Sequence, residues 1–380
     1  MKKWTTARVD KEKVKTVAKS LGIPAITAQM LLVKGFDDES KMRAFLSDRS
    51  DFADPFLITD MDVAAERITD AIENEEKICI YGDYDADGVT STSILYLYLK
   101  SEWADVMYYI PSREGEGYGM NKSAVDKLAA EGVNLIITVD NGISAAEEVD
   151  YANSLGIDVV VTDHHEPPET LPNAVAVVDP HRKDDESEFK HLCGAGVVLK
   201  LIMALESHNP DTEDILDRFA AICAIGTVAD VVSLTGENRV LVREGLKRIN
   251  AGANLGIQTL RRLSGIDGRD VTSGDIGFII APRINAGGRI NRSQKAVELF
   301  ITDDEERAQE LASELCKNND ERKQIEKEII EASLSKLAND ESISSRKVIV
   351  VAGEGWRQGV IGLAAARIKE VYGKPTIVIS

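Results

Sequence analysis

Cysteine is scarce. The four present, Cys79, Cys193, Cys223 and Cys316, lie far apart with no paired spacing, which argues against a zinc site or a redox dithiol and leaves reduced core residues. There is also no apolar run of about 18 residues, the minimum for a membrane-spanning helix. The start, Met1-Lys-Lys-Trp-Thr-Thr6, runs into the charged stretch Arg8–Lys15 without the apolar core of a secretory signal. These absences predict a cytoplasmic protein with no membrane association. Positive charge is short too: 45 Lys and Arg against 64 Asp and Glu give a formal net charge of −19, which argues against binding long duplex nucleic acid through overall charge. A nucleic-acid substrate would need a local basic lining or a metal. Repeats and low-complexity tracts are absent, and 380 residues with 43% hydrophobic and 29% charged content suit a folded chain of two domains.

The hydrophobic period changes along the chain. Residues 1–55 carry short amphipathic helical patterns broken at Gly22, Pro24 and Gly35, which predicts a small helical extension ending at Asp54-Pro55. From about residue 60, helical and strand patterns alternate: helix 63–75, strand 78–81, helix 90–101, strand 106–110, helix 123–131, strand 135–139, helix 144–155, and strands 159–162 and 174–178. Such alternation implies crossover connections and a parallel α/β sheet with helices on both faces. Residues 194–300 are helical, with Phe219–Gly226 apolar all round and therefore buried. The helical pattern 303–340 has apolar positions at its ends and a polar middle, Lys317–Gln324, as expected of a bridge solvated at its waist. Strand 347–351, helix 360–372 and strand 376–379 follow. One βαβ unit buries little surface, so the expectation is a piece of a longer protein.

The most informative segment is Ile80-Tyr-Gly-Asp-Tyr-Asp-Ala-Asp-Gly-Val-Thr90. Asp83, Asp85 and Asp87 alternate directly after a short apolar run, and if the strand carries through them they point the same way, a concentration of charge that calls for a cation. Leu135–Asp140 and Asp158–Asp163 are likewise β-branched runs ending in an acid. In an open parallel sheet, ligands bind beyond the carboxyl ends of the strands, so three such endings describe one site.

Asp83-x-Asp85-x-Asp87-Gly88 also matches half of an EF-hand loop. That reading needs a bidentate Glu where this chain has Ile94, and a helix where it has a strand. A dinucleotide loop is a second rival, but carboxylates would repel a pyrophosphate unless a cation intervened. Among only five histidines, His164 and His165 adjoin Asp163 at a strand end; His164 is expected to ligate, His165 to face substrate, and Asp163 to orient an imidazole from behind. Asp230, dropped into Ile225–Val232, must be neutralised by a cation, an arginine or an amide network. Arg283, Arg289 and Arg292 surround Gly287-Gly288 and suit an anion, the alternative being a turn with solvated arginines. Arg113 is a further phosphate candidate, and Tyr118 could stack on a base. Carboxylates with one imidazole favour Mn2+ or Mg2+ over zinc, and the acids are too many for one ion. Two ions with a shared carboxylate is the logic of hydrolytic phosphodiester cleavage.

Five ordered motifs, Tyr81-Gly-Asp-Tyr-Asp-Ala-Asp-Gly88, Val139-Asp-Asn-Gly-Ile143, Thr162-Asp-His-His165, Gly226-Thr-Val-Ala-Asp230 and Pro282-Arg-Ile-Asn-Ala-Gly-Gly-Arg289, resemble those of the DHH phosphoesterase superfamily, most closely its single-stranded-DNA exonucleases. The resemblance runs from about residue 50 to the end. It implies a two-metal centre (Mn2+ or Mg2+) on Asp85, Asp87, Asp140, His164 and Asp230, with Asp140 bridging and Asp83 outside. His165, Arg113 and Arg289 would contact the scissile phosphate. It further implies 5′-to-3′ hydrolysis of single-stranded DNA to mononucleotides in repair and recombination, alongside a single-strand-binding protein and a RecQ-type helicase. The expected units are an N-terminal extension (1–55), a DHH catalytic domain (56–302), a bridging helix (303–343) and the start of a DHHA1 domain (344–380). Glu354-Gly-Trp-Arg-Gln-Gly-Val-Ile-Gly362 resembles the opening of that last domain, although Arg357-Gln358 replaces the imidazole or amide and proline usual there. The competing activities are cleavage of very short oligonucleotides or cyclic dinucleotides, pyrophosphate hydrolysis, and a scaffold role without catalysis. The first motif of the short-substrate enzymes opens with a histidine where this chain has Tyr81, and a scaffold would have shed ligands that are all present here.

Overall fold

A computed structural model of the chain describes residues 7–47, 52–111, 119–207, 211–289, 293–338, 342 and 345–380, the Arg289 side chain excepted. Three short helices come first: α1 (Lys11–Leu21), α2 (Ala25–Val33) and α3 (Glu39–Leu46). Asp10 and Asp38 cap α1 and α3 by accepting from the amides of Glu12 and Lys41. Their apolar sides close on Val17, Ala28, Leu31 and Met42, a small core of its own. Arg239 fastens α3 to the rest, its guanidinium 4.0 Å from the Phe45 ring centre and its Nε donating to the Phe45 carbonyl.

After α4 (Met61–Glu73), five strands form a wholly parallel sheet in the order β2-β1-β3-β4-β5: β1 (Ile78–Tyr81), β2 (Val106–Tyr109), β3 (Leu135–Val139), β4 (Asp158–Thr162) and β5 (Ala176–Val178). The crossovers are α5 (Ala86–Ser101), α6 (Lys122–Ala130) and α7 (Ala146–Ser154). A parallel sheet is covered on both faces, which is why its strands read as continuous apolar runs. Ile78 and Ile80 of β1 enter one core with Ile68 and Ile94, whereas Cys79 and Tyr81 enter a second with Leu128 and Val149. Strand order reverses between β1 and β3, opening a crevice at their carboxyl ends.

A helical layer follows: α8 (Gly194–Leu205), α9 (Thr212–Ala229), α10 (Gly236–Ala251), α11 (Leu255–Leu263), the single turn α12 (Ser273–Asp275), a π-helical stretch Ile276–Ile280, α13 (Ala281–Arg289) and α14 (Gln294–Ile301). Phe219–Gly226 of α9 is buried throughout, as its apolar sequence requires. The long α15 (Glu305–Ala338) gives Ala308, Leu311 and Leu315 to the main core, and Ile329 and Leu337 to a separate one. That second core is completed by β6 (Ile349–Ala352), α16 (Gln358–Tyr372) and β7 (Thr376–Ile379), a parallel βαβ unit. Among the described residues no single helix is long and apolar enough to cross a membrane.

Two expectations need correcting and one alternative falls away. The first strand stops at Tyr81, and α5 begins at Ala86 rather than Thr90, so Asp83, Asp85 and Asp87 do not alternate on a strand. The middle of α15 is solvated only in part: Lys317, Asp320, Glu321, Lys323 and Gln324 are exposed, whereas Asn318 and Asn319 are 1% and 0% exposed. Gly287 and Gly288 lie within α13, which removes the alternative of a turn.

Candidate metal centre

Each strand end delivers an acid to the crevice. Beyond β1, Asp85 caps α5, its Oδ1 accepting from the amides of Asp87 (2.9 Å) and Gly88 (3.1 Å). Asp87 falls in the first turn of that helix and is 1% exposed. Its carboxylate accepts from the amides of Gly194 (2.7 Å) and Ala195 (3.0 Å) at the start of α8, where backbone donors and the helix dipole favour negative charge. Side chains larger than hydrogen are excluded nearby: a Cβ on Gly226 would lie 2.6 Å from Asp87 Oδ1, and one on Gly194 2.6 Å from the Asp140 Cβ.

Asp140 follows β3 with φ of 61°, the left-handed region, while its amide still donates to the Thr162 carbonyl at 3.1 Å. Asn141 then ties the two strands at the crevice, donating from Nδ2 to the carbonyls of Tyr81 (3.1 Å) and Val139 (2.9 Å). His164, after β4, places Nε2 3.0 Å from Asp140 Oδ1, 3.7 Å from Asp87 Oδ2 and 3.9 Å from Asp230 Oδ2. Asp163 turns away from the crevice: Oδ1 takes the His165 Nδ1 at 2.7 Å, and Oδ2 accepts from the Ile143 amide at 3.0 Å.

Three sets of donor atoms result among the described residues: Asp87, His164 and Asp230; Asp83, Asp85 and Asp140; and Asp140, His164 and His165, which overlaps both, the atoms within each lying within 4.8 Å of one another. Asp140 joins the first two through its contact with His164. Asp83, expected from the motif to lie outside the centre, is 3% exposed, and its buried Oδ1 has no partner.

The electrostatics follow from burial and crowding. Desolvation, then Asp85, pushes the Asp83 carboxyl up to about 7; desolvation, then Asp230 and Asp85, pushes Asp87 to about 7. Asp140 is raised by burial and by Asp87, and Asp230 goes to about 6 through burial and Asp85. Without cations these acids can coexist only by taking up protons. Hard oxygens, one imidazole and an orphaned buried carboxylate oxygen suit divalent cations that prefer oxygen. The histidines diverge: burial, then the charge of His165, lowers His164 to about 4, while the Asp163 hydrogen bond outweighs burial and raises His165 to about 9. At neutral pH His164 is a neutral imidazole and His165 a cation. In Asp163, burial is outweighed by hydrogen bonds from His165 and from the Ile143 and His164 amides, and its carboxyl sits below the ordinary range.

Asp85, Asp87, Asp140, His164, His165 and Asp230 therefore converge, with Asp163 behind His165. Arg283 Nη1 donates to the Ile279 carbonyl of the preceding π-helical stretch at 2.6 Å. Arg113, Tyr118 and Arg292 lie outside the described residues, as does the side chain of Arg289.

Sequence reasoning missed Asp179. It follows β5, is 0% exposed, accepts from the His181 amide at 2.7 Å, and is raised to about 7, chiefly by burial. The signal was available, since this is another apolar run ending in an acid. The amides of Gly194 and Ala195 left no comparable mark.

The model of the DHH family, N-terminal domain, matches residues 77–227. The chain is 41% identical to the single-stranded-DNA-specific exonuclease RecJ of Bacillus subtilis over 378 residues, 99% of this chain and 47% of that protein. It is 38% identical to the RecJ of Thermus thermophilus, over 83% of this chain and 46% of that one. The chain thus spans about half the length of these relatives. Among solved structures, RecJ of Thermus thermophilus in complex with Mn2+ superposes with a TM-score of 0.81 at 31% identity, over 97% of this chain and 52% of that one. An exonuclease RecJ bound to manganese gives 0.77 at 35% identity, over 87% and 82%. With the motifs in order and the fold shared, the chain belongs to the DHH family, in its RecJ branch.

Proposed function

We propose that this chain carries the catalytic part of a metal-dependent exonuclease that hydrolyses single-stranded DNA 5′-to-3′ to mononucleotides. The observation that carries the reading is the Asp87 and Asp85 donor sets joined at Asp140, with the His165 cation beside them. Asp87, Asp140, His164 and Asp230 would hold one divalent ion, Mn2+ or Mg2+, and Asp85 and Asp140, joined by Asp83, the other. Bound there, the ions would supply an activated water and offset charge on the phosphoryl oxygens.

The remaining work belongs to the protein's own groups. The Gly194 and Ala195 amides fix the direction of the Asp87 carboxyl in a dry site and favour its charged form against burial and the neighbouring acids. Asp163 fixes the His165 ring through Nδ1 and keeps it protonated, so that positive charge meets the scissile phosphate. His165 has 45% of its side chain accessible, as a group facing substrate needs. Arg113 and Arg289 would clamp the phosphate, Arg283 would lie beside them, and Tyr118 would stack on a base. The division into an extension (1–55), a catalytic domain (56–302), a bridging helix (303–343) and the start of a DHHA1 domain (344–380) is supported by the separate cores at either end of α15. In the cell the substrate would come from a helicase of RecQ type and be handed over by a single-strand-binding protein.

The test is release of nucleotides from 5′-labelled single-stranded DNA with and without Mn2+, over a series of chain lengths. Mn2+-dependent mononucleotide release from a thirty-mer supports the exonuclease. Cleavage of two- to five-mers alone would replace it with a short-oligonucleotide phosphodiesterase, and no Mn2+ binding with a scaffold.

A further inference from the structure

The peptide linking Asp85 to Asp87 is gripped from far along the chain. Ala86 opens α5, and its amide donates to the side-chain Oδ1 of Asn285 in α13 at 2.8 Å. One turn later α13 meets the same loop again: a Cβ on Gly288 would stand 2.4 Å from the Tyr84 carbonyl oxygen and 3.3 Å from Tyr84 Cδ2. These contacts, at residues 84 and 86, straddle Asp85. Meanwhile Asp85 Oδ1 is engaged by the Asp87 and Gly88 amides. The orientation of both carboxylates is thereby tied to the position of one peptide plane.

We infer that Asn285 is a positioning residue for the metal centre, acting through the Ala86 amide to fix Asp85 and Asp87, with Gly288 setting how closely α13 approaches. The inference rests on the metal-centre reading above. An amide is suited to this place. It accepts from a helix-opening N–H as an N-cap would, without adding another negative charge to a site already holding Asp83, Asp85 and Asp87. The long helix α15 also packs against α13, the element that holds the loop. A partner outside the ligand sphere commonly governs metal affinity by about 10- to 100-fold.

The experiment compares the wild-type chain with Asn285→Ala, Asn285→Asp and Gly288→Ala, using Mn2+ titration calorimetry, thermal unfolding in EDTA, and kcat and KM on single-stranded DNA. Asn285→Ala is expected to weaken Mn2+ binding about tenfold or more and to lower kcat with KM little changed. Asn285→Asp keeps the acceptor and should recover most of the metal affinity. Gly288→Ala, which retains the hydrogen bond but displaces the Tyr84 carbonyl, should weaken Mn2+ binding as well. A purely structural cap would lower the unfolding temperature in EDTA and leave Mn2+ affinity and kcat at wild-type values, and that result overturns the inference. Equal loss in the Ala and Asp variants overturns the acceptor role. Failure of the wild-type chain to bind Mn2+ would instead remove the metal centre itself, and this inference with it.

Discussion

Asp83→Asn offers the sharpest test of the claim that the acids at the crevice are a liability without cations. The residue is 3% exposed and its carboxyl is held at about 7 instead of the ordinary 3.8, by burial first and the charge of Asp85 second. A folded-state value above the unfolded one means that the native protein binds this proton more tightly. Stability from the group is therefore present at low pH and drains away as pH rises from about 4 to about 7. The gap between 3.8 and about 7, at about 1.4 kcal/mol per pH unit, sets a ceiling of about 4 kcal/mol. Asparagine keeps the shape and never ionises.

In EDTA, urea unfolding of the two proteins should diverge by about 2 kcal/mol between about pH 5.5 and 7, the variant being the more stable, and the difference should then level off. Taking the difference cancels the common effect of the net charge of −19. Mn2+ should reverse the order, because a ligand at a hundredfold excess over its Kd adds about 2.7 kcal/mol to the state that binds it. Parallel pH profiles in EDTA, or equal stabilisation of both proteins by Mn2+, would refute the reasoning.

Other outcomes follow from the same geometry. Asp140→Ala removes the carboxylate that joins the Asp87 and Asp85 donor sets, so calorimetry should find Mn2+ binding lost at both and DNA hydrolysis abolished, while circular dichroism shows the fold retained. In the EDTA-treated protein, NMR should find His165 protonated until pH rises through about 9, and His164 neutral until pH falls through about 4; two imidazoles titrating together near their ordinary value would contradict the Asp163 hydrogen bond. Arg289→Ala should raise KM for single-stranded DNA and flatten the slope of log affinity against log salt by about 0.7 for each phosphate no longer neutralised, with Mn2+ affinity unchanged by calorimetry.

Much of this was legible in residue order because the physics is local. β1 and β3 occur at the limits that their apolar runs define, and a parallel sheet forces loops at strand carboxyl ends into one crevice. Asp230 was readable as an acid in an apolar helix, and burial with neighbouring charge does raise it. The alternation of the triplet failed for an equally local reason: the chain leaves the sheet at Tyr81 and Asp85 becomes a helix cap, and Asp83, Asp85 and Asp140 still offer donor atoms within 4.8 Å of one another. The waist of α15 failed only at Asn318 and Asn319, which are polar yet buried, and a helix cannot announce which of its polar residues its neighbours will cover.

What stayed invisible shares one property: the partner is a backbone group distant in sequence. Gly194 and Ala195 hold Asp87 through their amides, and Asn285 holds the amide of Ala86. A backbone N–H is the same on every residue but proline, so sequence carries no sign of which one an anion will find. Only the steric condition leaves a trace. Gly194 and Gly226 must be glycine because a Cβ would press on Asp140 and on Asp87. Reading them as glycines that bring backbone close to an acid, rather than as turn residues, would have placed α8 and α9 against the crevice before any fold was seen. The left-handed backbone at Asp140 and at exposed Val231 belongs to the same account. Non-glycine residues, and a β-branched one above all, adopt that conformation at a cost of about 1–3 kcal/mol, and both lie at the residues where β3 and α9 bring their acids to the crevice. Asp60, Glu75, Trp103 and Asn254 take the same positive φ elsewhere among the described residues, so the strain accompanies the delivery of the two acids, and it is their burial and mutual charge that call for a cation.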